Sequence, residues 1–413
     1  MEYGCIGERL THSFSKEIHK CFADYEYEIK EIPKDKLGDF MQKAEFRAIN
    51  VTIPYKQAVM PYLYEISDTA RRIGAVNTIV KRDGKLYGYN TDFFGMTTLI
   101  QRSGIEIQNK KVLILGSGGT SKTAHAVAES LEAEEIYVVS RKGGKGLITY
   151  EEMYESHTDA EIVINTTPVG MFPNPDAMPI DLTRFPKLNG VVDAIYNPLR
   201  SRLVLEAEAL GAKATGGLYM LVAQAAYAVE KFIGTPMNPQ KTDDVYTELL
   251  RQKQNMVLTG MPGSGKSTIG KKISELTRRP FFDTDELIVK KDGRSIPTIF
   301  KEIGEEGFRK IEAEVIEEIG SLGGYIIATG GGAVLSEENV KNLKANGRIF
   351  YIDRPLHWLT ATSDRPLSSN PEDLKKRYQE RYDVYQSTAD RKISAVDDIK
   401  TNVEMILKSE EKC

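Results

Sequence analysis

The stretch TGMPGSGKST, residues 259–268, follows the apolar run NMVL and constrains the fold more than any other segment. Gly260, Gly265, Lys266 and Ser267 satisfy the pattern G-x-x-x-x-G-K-[ST]. Placed after a strand and before a helix, such a loop wraps its backbone N–H groups around phosphate oxygens. Lysine then reaches the outer phosphates and the serine hydroxyl holds Mg²⁺. Gly263, Ser264, Gly265, Lys266, Ser267 and Thr268 are therefore the expected ATP-binding residues, with Ser267 as a metal ligand.

A second glycine turn lies upstream in KVLILGSGGTSKTA. Gly116, Ser117, Gly118, Gly119 and Thr120 join an apolar strand to a helical stretch. Glycine there lets the backbone approach a pyrophosphate, and the first N–H groups of the helix face the anion. The spacing G-x-G-G falls short of the full G-x-G-x-x-G, so alone it also fits a tight loop. The next strand, EIYVVS, adds information because it ends in Ser140, Arg141 and Lys142. An acidic residue at that place would hold the ribose hydroxyls of NAD, whereas cations suit a 2′-phosphate. NADP(H) is the expected dinucleotide.

Around both turns, short Val- and Ile-rich runs alternate with helical stretches. KVLILG, EIYVVS, EIVINTT and GVVDAIY read as strands buried on both faces, and the pattern restarts at NMVLTG with YIIATGG and RIFYID. Alternation of this kind implies α/β units with parallel sheets. Between the halves, Gly234, Pro236 and Pro239 punctuate a short junction. From Thr242 a helix is expected, with Val245, Leu249 and Leu250 on one face.

At 413 residues the chain has room for two to four domains. A formal net charge of -4 with scattered Lys and Arg argues against a nucleic-acid binder. The apolar segment 214–229 is too short to span a bilayer and carries Gln224, so a buried helix is expected there. No signal peptide is read at the N-terminus. Three widely spaced cysteines suggest free thiols in the cytoplasm, and the five histidines show no zinc-ligand spacing.

ERLTHSFSKEIH, NVTIPYK, GAVNT, YNTD, NTTPVGM, IYNPLRS and GGLYMLVAQAA occur in this order over residues 1 to about 250. Together they resemble the shikimate dehydrogenase family. The resemblance implies an α/β substrate domain over 1–95. It also implies a Rossmann NADP domain over 96–253, with C-terminal helices returning to the substrate domain. The implied reaction is reduction of 3-dehydroshikimate by NADPH. Lys56 and Asp92 match the catalytic pair, consistent with an ammonium that protonates an alkoxide. Ser13 and Ser15 match groups holding the substrate carboxylate. Thr52, Asn77 and Gln224 match ring-hydroxyl binders, with Tyr196 nearby. Thr166 and Met171 match the loop beside the nicotinamide, and Gly217 falls among the matching cofactor positions. Lys16, Lys20 and Tyr219 depart from the family pattern. Tyr219, in a normally small position, is expected to narrow the nicotinamide side of the cleft.

FFDTDELI, GFRKIEAEVI, IIATGGGAV, DRPL and QERYDVYQSTAD, following the P-loop, resemble shikimate kinase over about 255–413. The implied domain, 254–413, has the nucleoside monophosphate kinase fold and transfers the ATP γ-phosphoryl group to shikimate. Asp283 would hold magnesium, and Asp285 would orient or deprotonate the attacking hydroxyl. Arg309 and Arg381 would clamp the carboxylate, with Glu312 supporting Arg309. Gly330, Gly331 and Gly332 would admit the ring and phosphate, and Arg365 would arrive with a lid. The segment between Arg365 and Arg381 is shorter than usual, and RPLS replaces RPLL.

The resemblances together imply a bifunctional enzyme acting on small molecules, with NADP(H), ATP and Mg²⁺ and no nucleic acid or membrane partner. A monomer and a homodimer are both compatible with it. Two alternatives stay open. The P-loop half could be a nucleotide-binding regulatory module, or the first half could act on quinate or shikimate with NAD.

Overall fold

The Val- and Ile-rich runs form the strands of three sheets in a computed structural model, which describes residues 1–8, 10, 14–359 and 371–411. The first sheet comprises β1 (Tyr3–Gly7), β2 (Tyr27–Glu31), β3 (Ala48–Val51), β4 (Glu65–Ile66), β5 (Thr78–Arg82) and β6 (Lys85–Tyr89). Its order is β2-β1-β3-β5-β6-β4. It is mixed, because β5 runs antiparallel to both β3 and β6. Asp83 and Gly84, with φ of 50° and 75°, make the two-residue turn between β5 and β6. Asp-Gly suits that turn because both positions need positive φ.

The second sheet is wholly parallel. It contains β7 (Lys111–Leu115), β8 (Glu135–Val139), β9 (Ile162–Asn165), β10 (Gly190–Asp193) and β11 (Lys213–Thr215), in the order β11-β10-β9-β7-β8. Val112 to Leu115 are completely buried, which explains their unbroken apolar run. After β7 the chain goes to β8 on one side and later to β9 on the other. That reversal is a topological switch point, where open α/β sheets bind ligands at the strands' carboxyl ends. The Gly116 turn sits at this point.

The third sheet contains β12 (Asn255–Thr259), β13 (Phe281–Asp283), β14 (Ile326–Ala328), β15 (Gly347–Asp353) and β16 (Arg391–Ser394). All its strands are parallel, in the order β13-β14-β12-β15-β16. The P-loop leaves the central strand, β12, and enters the helix Lys266–Thr277.

The chain divides into two compact units, Met1–Glu248 and Leu249–Cys413. The division falls inside the helix Pro239–Lys253. That helix begins three residues earlier than the sequence pattern suggests, because proline is tolerated in a first turn, where its missing N–H has no helical partner.

Inside the first unit, the segment expected to be a buried helix is Leu218–Ile233. It crosses the helix Thr91–Ser103 at Gly95. A Cβ there would lie 2.6 Å from the Met220 carbonyl, so only glycine allows this approach. The close crossing brings Gln224 to Thr91 at 3.3 Å. Among the described residues, no helix is long and apolar enough to cross a membrane.

Candidate active sites

A cleft of about 740 Å³ opens in the first unit. Of the residues picked out from sequence, Ser15, Thr52, Lys56, Asn77, Asp92, Thr120, Met171, Tyr196, Gly217 and Gln224 line it. Ser13 lies outside the described residues. Lys56 follows β3 and Asp92 occupies the first turn of the helix Thr91–Ser103, yet Lys56 Nζ donates to Asp92 Oδ2 at 2.5 Å. Both side chains are mostly buried, at 19% and 13% exposure. Asn90 caps that helix by accepting from Phe93 N at 3.1 Å, which fixes where Asp92 projects.

The floor of the cleft is a hydrogen-bond network that the motifs only partly announced. Asn77 Nδ2 donates to Thr91 Oγ1 at 3.0 Å, and Thr91 N donates to Asn77 Oδ1 at 2.7 Å. Asn50 donates to Thr78 Oγ1 and accepts from Tyr27 OH at 2.8 Å. Thr91 and Asn50 lie within YNTD and NVTIPYK, so adjacency to Asp92 and Thr52 was the available signal. Cys5 also lines the cleft, but burial pushes its thiol up to about 12, so it offers no thiolate at neutral pH. Burial likewise raises the Tyr196 phenol, which stays a neutral hydrogen-bonding group.

Tyr219 does not narrow the cleft. Its side chain is buried in the core with Met96 and Leu99. Its hydroxyl donates to Asp243 Oδ1 at 3.0 Å, and its ring meets Tyr246 edge-on. Arg102 lies over the Tyr219 ring and donates to the same carboxylate at 2.5 Å. Met220, Leu221 and Gln224 face the cleft instead.

Gly116, Ser117, Gly118 and Gly119 are outside the lining of that cleft, at the carboxyl end of β7, and Thr120 reaches it. Gly116 has φ of 101°, and a Cβ there would sit 2.9 Å from Thr166 Oγ1. Thr166 Oγ1 donates to the Leu115 carbonyl at 2.6 Å. Around Gly118 and Gly119 the space is open, and Gly119 begins the helix Gly119–Ser130. An open cradle at a helix start fits a pyrophosphate. Ser140, Arg141 and Lys142 follow β8 next door, with both cations exposed.

Asp193 is a buried carboxylate that no motif reading picked out. Oδ1 accepts from Asn165 Nδ2 and Ile195 N, each at 3.0 Å, and Oδ2 accepts from Ser201 Oγ at 2.5 Å. Burial pushes its carboxyl up to about 6 against the pull of these three neutral donors. A folded-state value above the ordinary 3.8 means the folded state holds this proton more tightly than the unfolded chain. The associated stability is present below 3.8 and is lost as pH rises towards about 6. Asp193→Asn is expected to remove that decline, read as a flatter dependence of urea unfolding on pH than in wild type across this window.

In the second unit, the P-loop takes the form its glycines require. Gly260, Gly263 and Gly265 have φ of 145°, 82° and 92°. Lys266 Nζ donates to the carbonyls of Gly260 and Met261 at 2.9 and 3.0 Å. Ser264 Oγ is buried without a hydrogen-bond partner. An orphaned hydroxyl in a glycine-rich loop at a helix start fits a bound phosphate. Ser267 Oγ donates to Asp283 Oδ2 at 2.6 Å, so the two residues expected to hold Mg²⁺ are together. Hydroxyl and carboxylate oxygens, completed by phosphate and water, are the donor set Mg²⁺ favours. Among the described residues, no group of three or more His, Cys, Asp or Glu could hold a metal.

Beside the P-loop, Asp285, Arg309 and Arg381 converge on the glycine run that ends β14. A Cβ on Gly330 would lie 2.8 Å from Asp285 Oδ1, and one on Gly332 only 2.3 Å from Arg309 Nη2. These glycines make room for the site's own side chains. Arg309 Nη1 donates to Glu312 Oε2 at 2.7 Å and Nη2 to Glu305 Oε1 at 3.0 Å. Burial opposes the charge on Arg309, but Glu312 and Glu305 outweigh it and hold its pKa above the ordinary value. Arg381 Nη1 donates to the Gly331 carbonyl at 3.0 Å, and Tyr385 OH donates to the same oxygen. Tyr385, fully buried, was missed from sequence, where it reads as core. Arg365 lies outside the described residues.

Comparison with known proteins follows the same division. The shikimate dehydrogenase substrate-binding domain matches residues 5–79, and shikimate kinase matches residues 262–410. The NADP(+) shikimate dehydrogenase of Clostridium beijerinckii is 39% identical over 262 residues, covering 59% of this chain and 96% of that protein. Its counterpart in Clostridium perfringens is 36% identical over 265 residues, covering 60% and 97%. Among solved structures, a chorismate mutase/shikimate 5-dehydrogenase fusion from Clostridium acetobutylicum matches with TM-score 0.57 and 36% identity, covering 60% of this chain and 96% of that one. A Thermus thermophilus shikimate 5-dehydrogenase in complex with NADP(H) and shikimate matches with TM-score 0.55 and 28% identity, covering 60% and 99%. This chain belongs to the shikimate dehydrogenase family and continues, in the same polypeptide, into a shikimate kinase domain.

Proposed function

We propose that the chain catalyses two consecutive steps, reduction of 3-dehydroshikimate by NADPH and phosphorylation of the resulting shikimate by ATP. A bifunctional shikimate-pathway enzyme using NADP(H), ATP and Mg²⁺ is the coarser statement that the two families give. The direction of the first step and the acceptor of the second are the finer reading. The observation that carries it is the set Asp285, Arg309 and Arg381 around Gly330–Gly332, because a P-loop alone names no acceptor. A module that only bound nucleotide would have no use for two guanidiniums and a carboxylate gathered beside one glycine run.

When bound, NADPH supplies hydride, ATP supplies a phosphoryl group, and Mg²⁺ offsets phosphate charge. The chain's own residues do the rest. Asn77, Thr52 and Gln224 orient ring hydroxyls, while Ser15 takes part in holding the carboxylate. Lys56, oriented by Asp92, donates the proton that the new alkoxide needs. In the second unit, Arg309 and Arg381 hold the acceptor carboxylate and Asp285 orients the attacking hydroxyl. Lys266 and Ser267 position the phosphates and metal. The hydroxyl made in the first step is the one used in the second.

Arg141 carries the dinucleotide preference in this reading. Arg141→Ala is expected to raise the KM for NADPH by about 10- to 100-fold, the range for one lost charge-assisted hydrogen bond, and to leave turnover with NADH nearly unchanged. Parallel NADPH and NADH titrations check this. The whole reading is tested with 3-dehydroshikimate, NADPH and Mg-ATP together. Loss of nicotinamide absorbance accompanied by shikimate 3-phosphate in the mass spectrum supports it. Shikimate that accumulates unphosphorylated in excess ATP overturns the second step.

A further inference from the structure

We propose that Asp193 is a positioning residue for the reductase reaction, a hub that holds together the two loops forming the dinucleotide side of the cleft. The inference rests on the reductase reading above. Asp193 ends β10 and Asn165 ends β9, and the parallel register sets them side by side. Both are completely buried.

From this pair, hydrogen bonds run outward along two loops. On one side, Asn165 Oδ1 accepts from Thr167 N at 3.0 Å and from Thr167 Oγ1 at 2.7 Å. Thr167 Oγ1 in turn accepts from Val169 N at 3.2 Å. This shapes the segment that delivers Met171 and Phe172 to the cleft. On the other side, Asp193 fixes Ile195 N and Ser201 Oγ, so it holds both ends of the segment carrying Tyr196 and Asn197 into the same cleft. Phe172 N donates to the Asn197 carbonyl at 3.1 Å and closes one loop on the other. Ser201 also accepts from Val204 N at 3.4 Å as the cap of the helix Arg202–Ala209.

The choice of aspartate is the telling feature. All three groups facing it are neutral donors, and no cation pairs with it among the described residues. Asparagine would occupy the same volume without burying a charge. What the carboxylate provides is acceptors alone, so Asn165 must present its own Oδ1 to Thr167. With asparagine at 193, Nδ2 would face one of the present donors, and either Asn165 or Ser201 would have to turn. A buried group that only accepts, placed where two site loops meet, imposes one hydrogen-bond geometry on both of them.

The test uses the full-length protein and two variants, Asp193→Asn and Thr167→Val. Thr167→Val cuts the chain of hydrogen bonds downstream while leaving Asp193 and its burial intact. NADPH affinity is read by nucleotide fluorescence, KM and kcat by steady-state reduction, and folding by thermal melting with shikimate phosphorylation as internal control. Both variants are expected to weaken NADPH binding and raise its KM by about tenfold or more, since small misplacements of positioned groups cost this much. The KM for 3-dehydroshikimate should rise less than the KM for NADPH, because only Tyr196 of the affected residues belongs to the ring-hydroxyl side. The inference is overturned if Asp193→Asn lowers only melting temperature and active fraction with both KM values unchanged. It is also overturned if Thr167→Val behaves as wild type, and that arm decides the matter if Asp193→Asn does not fold. Wild-type protein that binds NADPH but does not reduce 3-dehydroshikimate would sink the reaction reading instead, while the NADPH affinities of the variants would still judge the role of Asp193.

Discussion

Lys56→Ala reduces the rate of NADPH-dependent 3-dehydroshikimate reduction to about a thousandth of wild type or less, and shikimate phosphorylation by the same protein is unchanged. The size follows from the usual range for a positioned proton donor, about 10² to 10⁴. Lys56 is held at 2.5 Å from Asp92 with both side chains mostly buried, so an unpositioned water replaces it poorly. The fold should survive the change. Removing one partner of an enclosed ion pair leaves the other uncompensated. Here, however, Asp92 sits in the first turn of a helix, where its carboxylate lies beside backbone N–H groups and keeps some solvent access. The loss should therefore appear in kcat, with a KM for 3-dehydroshikimate that moves only a few fold. Paired assays of both activities on one preparation decide it, and a variant retaining near wild-type reductase rate would remove Lys56 from its role.

Asp285→Asn should give the mirror image, with phosphorylation of shikimate down by at least about 10²-fold, as expected when a nucleophile-orienting carboxylate is lost. Reduction of 3-dehydroshikimate should be unaffected. The substitution is mild for the structure. The helix Thr284–Asp292 is capped by Asp283, whose Oδ1 accepts from the backbone N of residue 285 at 3.0 Å, a contact that needs no particular side chain at 285. Gly330 already leaves space for a side chain of this size. ATP affinity, measured separately, should be retained because Lys266, Ser267 and Asp283 are untouched. If both activities persist, the carboxylate at 285 has no part in the transfer.

The P-loop was legible because strand, glycine turn and helix are contiguous and their conformations are local. The three positive φ values at Gly260, Gly263 and Gly265 are what the pattern demands. The meeting of Lys56 with Asp92 was of a different kind. It depends on how β3 and the helix after β6 are arranged around the first sheet, and only a family resemblance singled out those two residues. The Asp193–Asn165 hub had no such pointer, since it arises from the register of two parallel strands separated by a crossover. Tyr219 shows an available signal left unused. Gly217, Met220, Leu221 and Gln224 follow i, i+3, i+4, i+7 spacing and line the cleft, so a residue at 219 turns to another face. Gly330 and Gly332 also leave room for Asp285 and Arg309, which a one-dimensional reading does not place beside them.

The carboxylate of Asp243, shared by Arg102 and Tyr219, has a bearing on how the gene can be partitioned. It belongs to the helix Pro239–Lys253, beyond Gly234 and the prolines that follow it. A stand-alone reductase ending at Gly234 would lose Asp243 and Tyr246 together. Arg102 would keep its charge with no counter-ion from that helix, and the buried Tyr219 hydroxyl would lose its acceptor. The seam for exchanging halves between such enzymes, in the laboratory or by recombination, therefore lies downstream of this helix's first turns, and shorter cassettes should emerge insoluble rather than merely slow.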